Sequence, residues 1–284
     1  MNTHKNLIAF INQQFVPLDQ AFLHVSDLAI QRGYGVFDFF KVSNGHPYFL
    51  DEYLDRFTES ARKLDLSVPL ERQALKEIIY RLIQQNNLSS SGVKMILTGG
   101  YSTDGYQPAE PNLIITQQEF TLPTQEQYHK GIKIITHEYV REIPAAKTIN
   151  YTMGIRLIQK IKEKGADDVL FHQGGVVSEF PRCNFFILKQ DDTLVTPAQD
   201  VLLGITRKNV LALAANRYRA QEGVVTLADI YEAKEAFLTS TTKRILPIVQ
   251  VDDKIIGNGQ PGEITLSLLK DLISLEERDF AANK

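Results

Sequence analysis

Tight-turn signals set between short apolar runs constrain this chain most. Asn44-Gly45 separates residues 36–42 from Tyr48-Phe49-Leu50, and Asn-Gly is the strongest short hairpin signal because both central residues of such a turn take positive φ. Gln173-Gly174-Gly175 stands in the same way between residues 169–172 and 176–177, and Asp191-Asp192 between residues 184–188 and 194–195. Residues 7–11 and 15–18 flank Asn12-Gln13-Gln14 and read as a further hairpin. Strands joined this closely pair antiparallel, whereas a parallel pair needs a long crossover. Residues 93–98 and 112–116 read as strands around a polar loop, 99–111, and 132–136, 236–239 and 245–251 as further strands.

Helices are interleaved with these strands. Asp51 is expected to cap a helix whose apolar positions are Tyr53, Leu54, Phe57, Ala61 and Leu64. Others are expected over about 71–85, 150–164, 206–219 and 227–233, and Pro261 is placed to open the last one. Hairpins mixed with helices argue for an α+β chain in two lobes, not a doubly wound parallel sheet. Residues 120–127 are polar, contain a proline and show no clear period, which makes them a candidate linker. The expected division is 1–118, a linker at 119–128, and 129–284.

Composition removes several function classes. The 284 residues are 43% hydrophobic and 23% charged, with net charge −3 and pI about 6.1. Such a chain can bury a core, and it has no basic block to suit nucleic acid or an anionic membrane. Met1-Asn2-Thr3-His4-Lys5-Asn6 lacks the apolar stretch of a signal peptide, and no apolar run is long enough to span a bilayer. Cys183 is the only cysteine; it reads as a small buried hydrophobe, and the absence of an intrachain disulfide fits a reducing, cytoplasmic setting. The six histidines show no metal-ligand spacing, so no metal site is expected.

Five features carry chemistry. Lys147, in Arg-Glu-Ile-Pro-Ala-Ala-Lys-Thr-Ile-Asn-Tyr, is either a solvated charge or, hemmed by small and apolar neighbours, a desolvated amine suited to Schiff-base chemistry. Glu179, ending an apolar strand, is either on a solvated face or held by a cation. Thr206, after Leu202-Leu203-Gly204-Ile205, is a plain helix cap or part of an anion site at a helix N-terminus. Thr239-Ser240-Thr241-Thr242-Lys243 offers hydroxyl donors after a strand, and Arg56 is an exposed helix charge or a bidentate phosphate contact. An amine, an acid and two hydroxyl-bearing cradles together suit pyridoxal phosphate, which needs a lysine for its aldehyde, an acid for its ring nitrogen and an anion hole for its phosphate.

The chain resembles the class IV aminotransferases, the fold-type IV pyridoxal-phosphate family of branched-chain and D-amino-acid aminotransferases and aminodeoxychorismate lyase. Residues 27–38, Asp-Leu-Ala-Ile-Gln-Arg-Gly-Tyr-Gly-Val-Phe-Asp, are similar to the family's Asp-Arg-Gly…Gly-Asp-Gly-Val-Phe-Glu, from which Leu28, Ala29, Tyr34 and Asp38 depart. Residues 52–57, 144–151, 175–185, 196–197, 203–207 and 233–247 resemble the family's later motifs, so the match covers nearly the whole chain. The resemblance implies two lobes, a small N-terminal α/β sandwich and a larger β-barrel-like C-terminal lobe with helices. It implies that Lys147 forms the Schiff base and shuttles the proton, that Tyr151 lies near the ring, and that Glu179 faces the pyridine nitrogen. It also implies that Arg56, Gly204, Ile205, Thr206, Ser240 and Thr241 hold the phosphate.

For the substrate, the resemblance points to Phe37, Lys94, Tyr101, Tyr106 and Thr242. D-amino-acid aminotransferases carry an Arg-x-His trap in the loop matching residues 99–106, which here has neither residue. Branched-chain enzymes place an arginine where Lys94 stands, and lysine lacks the bidentate fork. The 144–151 segment is closer to the branched-chain type than to the lyase. The expected activity is transamination of such an amino acid with 2-oxoglutarate or pyruvate as acceptor. The alternatives are a D-amino-acid aminotransferase, the lyase, and a non-catalytic binding protein. A homodimer is implied, its 99–106 loop reaching the neighbour's site.

Overall fold

A computed structural model describes residues 7–282; the Met1–Asn6 opening lies outside them. The chain divides into two units. Unit 1 takes residues up to Thr121, then Ala146–Asn150 and the residues from Asp279; unit 2 takes Leu122–Ala145 and Tyr151–Arg278. The five residues around Lys147 therefore belong with the first unit, while the sequence on both sides of them belongs with the second.

Unit 1 contains β1 (Ile8–Ile11), β2 (Gln14–Pro17), α1 (Leu28–Arg32), β3 (Gly35–Ser43), β4 (His46–Pro47), α2 (Leu50–Lys63), α3 (Arg72–Asn86), β5 (Ser90–Thr98) and β6 (Leu113–Gln118). Its sheet is antiparallel throughout, in the order β2-β1-β6-β5-β3-β4. The two expected turns are present: Asn12 and Gln13 join β1 to β2 with φ of 44° and 70°, and Asn44 and Gly45 join β3 to β4 with φ of 47° and 83°. Leu54, Phe57 and Ala61 of α2 and Leu75, Ile79 and Leu82 of α3 are buried with Val93, Met95 and Leu97 of β5. Their spacing is that of amphipathic helices over one sheet face.

Unit 2 contains α4 (Gln125–Lys130), β7 (Ile132–Glu138), α5 (Thr152–Arg156), α6 (Ile158–Glu163), β8 (Asp168–Gln173), β9 (Val176–Val177), β10 (Asn184–Leu188), β11 (Thr193–Pro197), α7 (Ile205–Ala215), β12 (Arg219–Gly223), α8 (Leu227–Tyr231), β13 (Glu235–Ser240), β14 (Arg244–Val251), β15 (Lys254–Ile255) and, through Arg278, the residues of α9 (Glu263–Ala282). The mixed sheet runs β12-β11-β10-β13-β14-β7-β8-β9, with β15 on β14. Its core is aromatic and β-branched: Phe185, Phe186, Ile187, Phe237 and Ile245 are fully buried, and Phe186 stacks on Phe237 with ring centroids 4.9 Å apart. The whole is the expected α+β fold of a small antiparallel sheet and a larger, mixed, half-barrel one.

Several boundaries differ from the sequence expectation. Asp51 does not cap α2; Phe49 occupies that position at φ 52°, and Asp51 sits in the first turn, bound by Arg72 and Lys76. Nor does Thr206 cap α7: Gly204 occupies the cap position without a capping side chain, and Thr206 is the second residue of the helix. The helix expected over 150–164 is two short ones meeting at Leu157. Gly154 weakens the first of these, and a Cβ there would come within 2.9 Å of Pro181. Arg219 opens β12 instead of closing a helix. The last helix starts at Glu263, not Pro261, because Glu235 of β13 caps it from a distance, accepting from the amides of Ile264 and Thr265 at 3.2 and 2.8 Å. Within 120–127, Thr124 and Gln127 form a reciprocal cap at the head of α4.

Candidate active site

In unit 1, Lys147 is fixed by its backbone. Its carbonyl accepts from the Phe37 amide at 2.9 Å, Ile149 donates to Gly35 O at 3.0 Å, and Thr148 bridges Val36. The segment thus runs antiparallel to the start of β3. The Lys147 amide donates to the buried Ser60 hydroxyl at 3.1 Å, and its Nζ lies 4.7 Å from the centre of the Phe37 ring. Alternation along the strands puts Phe37, Phe39, Lys94 and Ile96 on one sheet face, with Phe39 opposite Lys94 and Phe37 opposite Ile96. Arg56, on α2, forms a fork on the fully buried Asp38, with Nε donating to Oδ2 at 2.9 Å and Nη2 to Oδ1 at 2.6 Å. Asp38 stands where the resembled motif has Glu, and here it sets the Arg56 side chain.

The loop carrying Tyr101 and Tyr106 is strongly tied. Asp27, fully buried, accepts from Thr98 Oγ1 at 2.8 Å, Asn112 Nδ2 at 2.7 Å and the Ala29 amide at 2.8 Å. Asp104 accepts from the amides of Gln107 and Tyr106 and from the Ser102 hydroxyl, which hold its carboxyl below the usual range. Tyr106 itself is 80% exposed.

In unit 2, Glu179 is buried in the segment between β9 and β10. Arg141 donates to its Oε1 through Nε at 2.8 Å and Nη2 at 2.5 Å; the Leu202 amide and Asn184 Nδ2 donate to its Oε2 at 2.9 and 3.2 Å. Arg141 also donates to Pro144 O, three residues before Lys147 in sequence. A buried carboxylate is tolerated when paired and hydrogen-bonded in this way. At the head of α7, Gly204 has no side chain to cap the first amides, so they keep the orphan donors of a helix N-terminus. Ile205 and Thr206 there are buried. Arg207, also buried, anchors α7 to Thr196, Pro197 O and Glu222.

The second hydroxyl cluster is the turn from β13 to β14. Ser240 Oγ accepts from the Lys243 amide at 3.1 Å, and Lys243 Nζ pairs with Asp168 at 2.8 Å. Burial works against the Lys243 ammonium, but Cys183 and Asp168 outweigh it and hold its pKa above the ordinary lysine value. Thr239, just before this turn, is buried with a hydroxyl that has no partner. Thr241 and Thr242 complete the turn. Tyr151 precedes α5 and lines a groove with Gly154, Ile155 and Pro181. Cys183 is buried, and burial pushes its thiol up, as suits an inert core residue. Among the described residues no group of acids, histidines and cysteine could hold a metal ion.

Residues 35–251 match the family described as amino-transferase class IV. This chain belongs to that family. A D-alanine aminotransferase of Listeria monocytogenes is 31% identical over 267 residues, covering 91% of this chain and 92% of its own. A putative branched-chain-amino-acid aminotransferase of Methanocaldococcus jannaschii is 29% identical over 268 residues, covering 91% and 93%. The structure superposes on the T.th. branched-chain amino acid aminotransferase, solved with pyridoxamine 5'-phosphate, with TM-score 0.89 and 25% identity, covering 96% and 95% of the two chains. As a class IV aminotransferase the protein is an enzyme dependent on pyridoxal phosphate.

The residues present suit that cofactor. Unit 2 offers the uncapped amides at Gly204, the unpartnered Thr239 hydroxyl beside the Ser240-Thr241 turn, and a buried acid in Glu179. Unit 1 offers the Lys147 amine and an oriented guanidinium. Sequence reasoning misses Arg141, Asn184 and Ser60, and the part Asp38 plays in setting Arg56. Arg141 has one available signal, its place six residues before Lys147 in the same segment.

Proposed function

We propose that this class IV aminotransferase moves an amino group between an apolar amino acid of the branched-chain type and 2-oxoglutarate or pyruvate. The apolar face of Phe37, Phe39 and Ile96 beside the Lys147 amine carries this reading, because it suits a hydrocarbon side chain. Lys94 is the cation on the same face placed to meet a carboxylate. Tyr101, Tyr106 and Thr242 are proposed as further substrate contacts. When bound, pyridoxal phosphate supplies an electron sink that acidifies the Cα–H of an amino acid joined to it. Lys147 Nζ is the covalent anchor and, once released, the base that takes that proton and returns it. Glu179 would keep a proton on the ring nitrogen, and Tyr151 would be a further contact to the cofactor. The amides of Ile205 and Thr206 after Gly204, with Ser240, Thr241 and Arg56, hold the phosphate.

The Listeria relative favours a second reading, transfer from D-alanine. A panel of L-leucine, L-valine, D-alanine and D-leucine with each acceptor separates the two. Turnover of the L-branched donors alone supports the first reading, and turnover of the D-donors alone replaces it.

A homodimer belongs to the proposal. Phe22, Val25 and Ile30 are 75%, 70% and 56% exposed. They lie on the segment that the 99–106 loop touches, where the Ser102 amide donates to Ser26 O and Tyr101 bridges Asp27. Three exposed apolar side chains so near one another in sequence suit contact with a second copy of the chain. Light scattering under assay conditions tests it; a fully active monomer overturns it. A cytoplasmic location is proposed on the lone buried Cys183; no described helix is long and apolar enough to cross a membrane.

A further inference from the structure

Glu179 and the head of α7 are far apart in sequence and are joined by one side chain. Asn184, the first residue of β10, donates from Nδ2 to Glu179 Oε2 at 3.2 Å and to Leu202 O at 2.7 Å. The Leu202 amide returns a bond to the same Glu179 oxygen at 2.9 Å, closing a small ring of contacts. The other end of the Asn184 amide sets Gly204. A Cβ at position 204 would come within 2.1 Å of Asn184 Oδ1. Gly204 has φ −67° and ψ 140°, which any residue can adopt. The glycine there is therefore demanded by the space that Asn184 occupies and not by backbone conformation. Across the sheet, Asn184 pairs in register with Thr239, whose buried hydroxyl lacks a partner and which leads into Ser240-Thr241.

We infer that Asn184 is a positioning residue that fixes the spacing between the ring-nitrogen acid Glu179 and the phosphate-binding amides at the head of α7. This rests on the roles proposed above for Glu179 and α7. A primary amide suits the task because it donates twice from one nitrogen while presenting an oxygen on the other side. Aspartate has the same shape, loses both donors, and sets a second carboxylate against Glu179. Asn184 acts through its neighbours, so its effects must couple to theirs and vanish where theirs are already gone.

Two double-variant cycles test this. In the first, apoenzyme is titrated with pyridoxal phosphate and binding is read by visible absorbance. Asn184→Ala and Gly204→Ala should each weaken binding about tenfold. The double variant should bind no more weakly than Asn184→Ala alone, because the oxygen that the new Cβ would meet is gone. Additive losses, or wild-type binding by both single variants, overturn the inference. If Gly204→Ala does not fold, a folded Asn184→Ala/Gly204→Ala protein supports it and an unfolded one overturns it. In the second cycle kcat is read on cofactor-saturated enzyme. Asn184→Asp should lower kcat about tenfold in the wild-type background and leave it unchanged in the Glu179→Gln background; equal losses in both overturn the inference. Failure of wild-type apoenzyme to take up pyridoxal phosphate would overturn the underlying site reading as well. Normal uptake by wild type with unaltered variants removes the Asn184 inference alone.

Discussion

At the scale of single residues, buried polar groups do most to define this protein. Glu179 is surrounded by donors, and replacing it with glutamine keeps the shape while removing the charge. The expected result is a fall in turnover of at least about tenfold, the loss of roughly 1.4 kcal/mol of transition-state stabilisation, with cofactor still visibly bound. Unchanged turnover would remove the proposed role. Lys147 has a direct chemical check. Borohydride treatment of the holoenzyme followed by peptide mapping should leave a pyridoxyl group on Lys147, and a label on another lysine overturns its assignment. Asp38 offers a stability test. Its carboxylate is fully buried and is met by the Arg56 fork. Asp38→Ala removes one partner of this buried pair and should cost about 3 kcal/mol in urea unfolding; a change within about 0.5 kcal/mol, the scale of ordinary surface substitutions, would show that the pair contributes little.

At the scale of elements, what can be read from sequence depends on how local each signal is. The β1–β2, β3–β4, β8–β9 and β10–β11 connections are legible because their positive-φ turn residues are local, two adjacent ones in the first three, such as Asn44 and Gly45, and Asp192 in the last. Helix ends set by distant groups are not legible. Glu235 lies 29 residues from Ile264 in the chain yet supplies the cap of α9, and nothing near Glu263 announces it. The site shows the same division. Lys147, Glu179 and Thr206 stand out because they sit in short motifs, whereas Arg141 and Asn184 matter through contacts that only folding creates. Glu235→Ala should therefore fray α9 from its first turn. The expected cost is about 1 kcal/mol, as for other lost helix caps, with faster amide exchange confined to residues 263–266. Unaltered exchange there would show that solvent replaces the carboxylate without loss.

At the scale of the whole molecule, pH reports on the packing of unit 2. Tyr128 is buried, its hydroxyl donates to Lys243 O, and burial pushes its pKa from 10.0 to about 12. The folded pKa is the higher one, so the stabilisation is intact below about pH 10. It is lost as pH rises towards 12, where the unfolded chain has already released its proton. Stability should fall across that window, and Tyr128→Phe should fall less steeply in thermal melts between pH 9 and 12. Parallel curves for the two proteins would assign alkaline lability to other groups.

The path of the backbone carries one more consequence. Residues 146–150 count with the first unit although residues 122–145 of the second precede them. Chain growth on the ribosome delivers residues in order, so a nascent chain that ends at Thr121 still lacks the piece that lies along β3. The main-chain bonds of Gly35 and Phe37 to that piece form only after α4, β7 and the Arg141 segment have been made. The β3 edge of the first unit is thus completed late, by the segment that holds Lys147, and a half-made chain carries neither that finished edge nor an anchored reactive amine. Vectorial synthesis keeps the amine from being set in place before its scaffold exists.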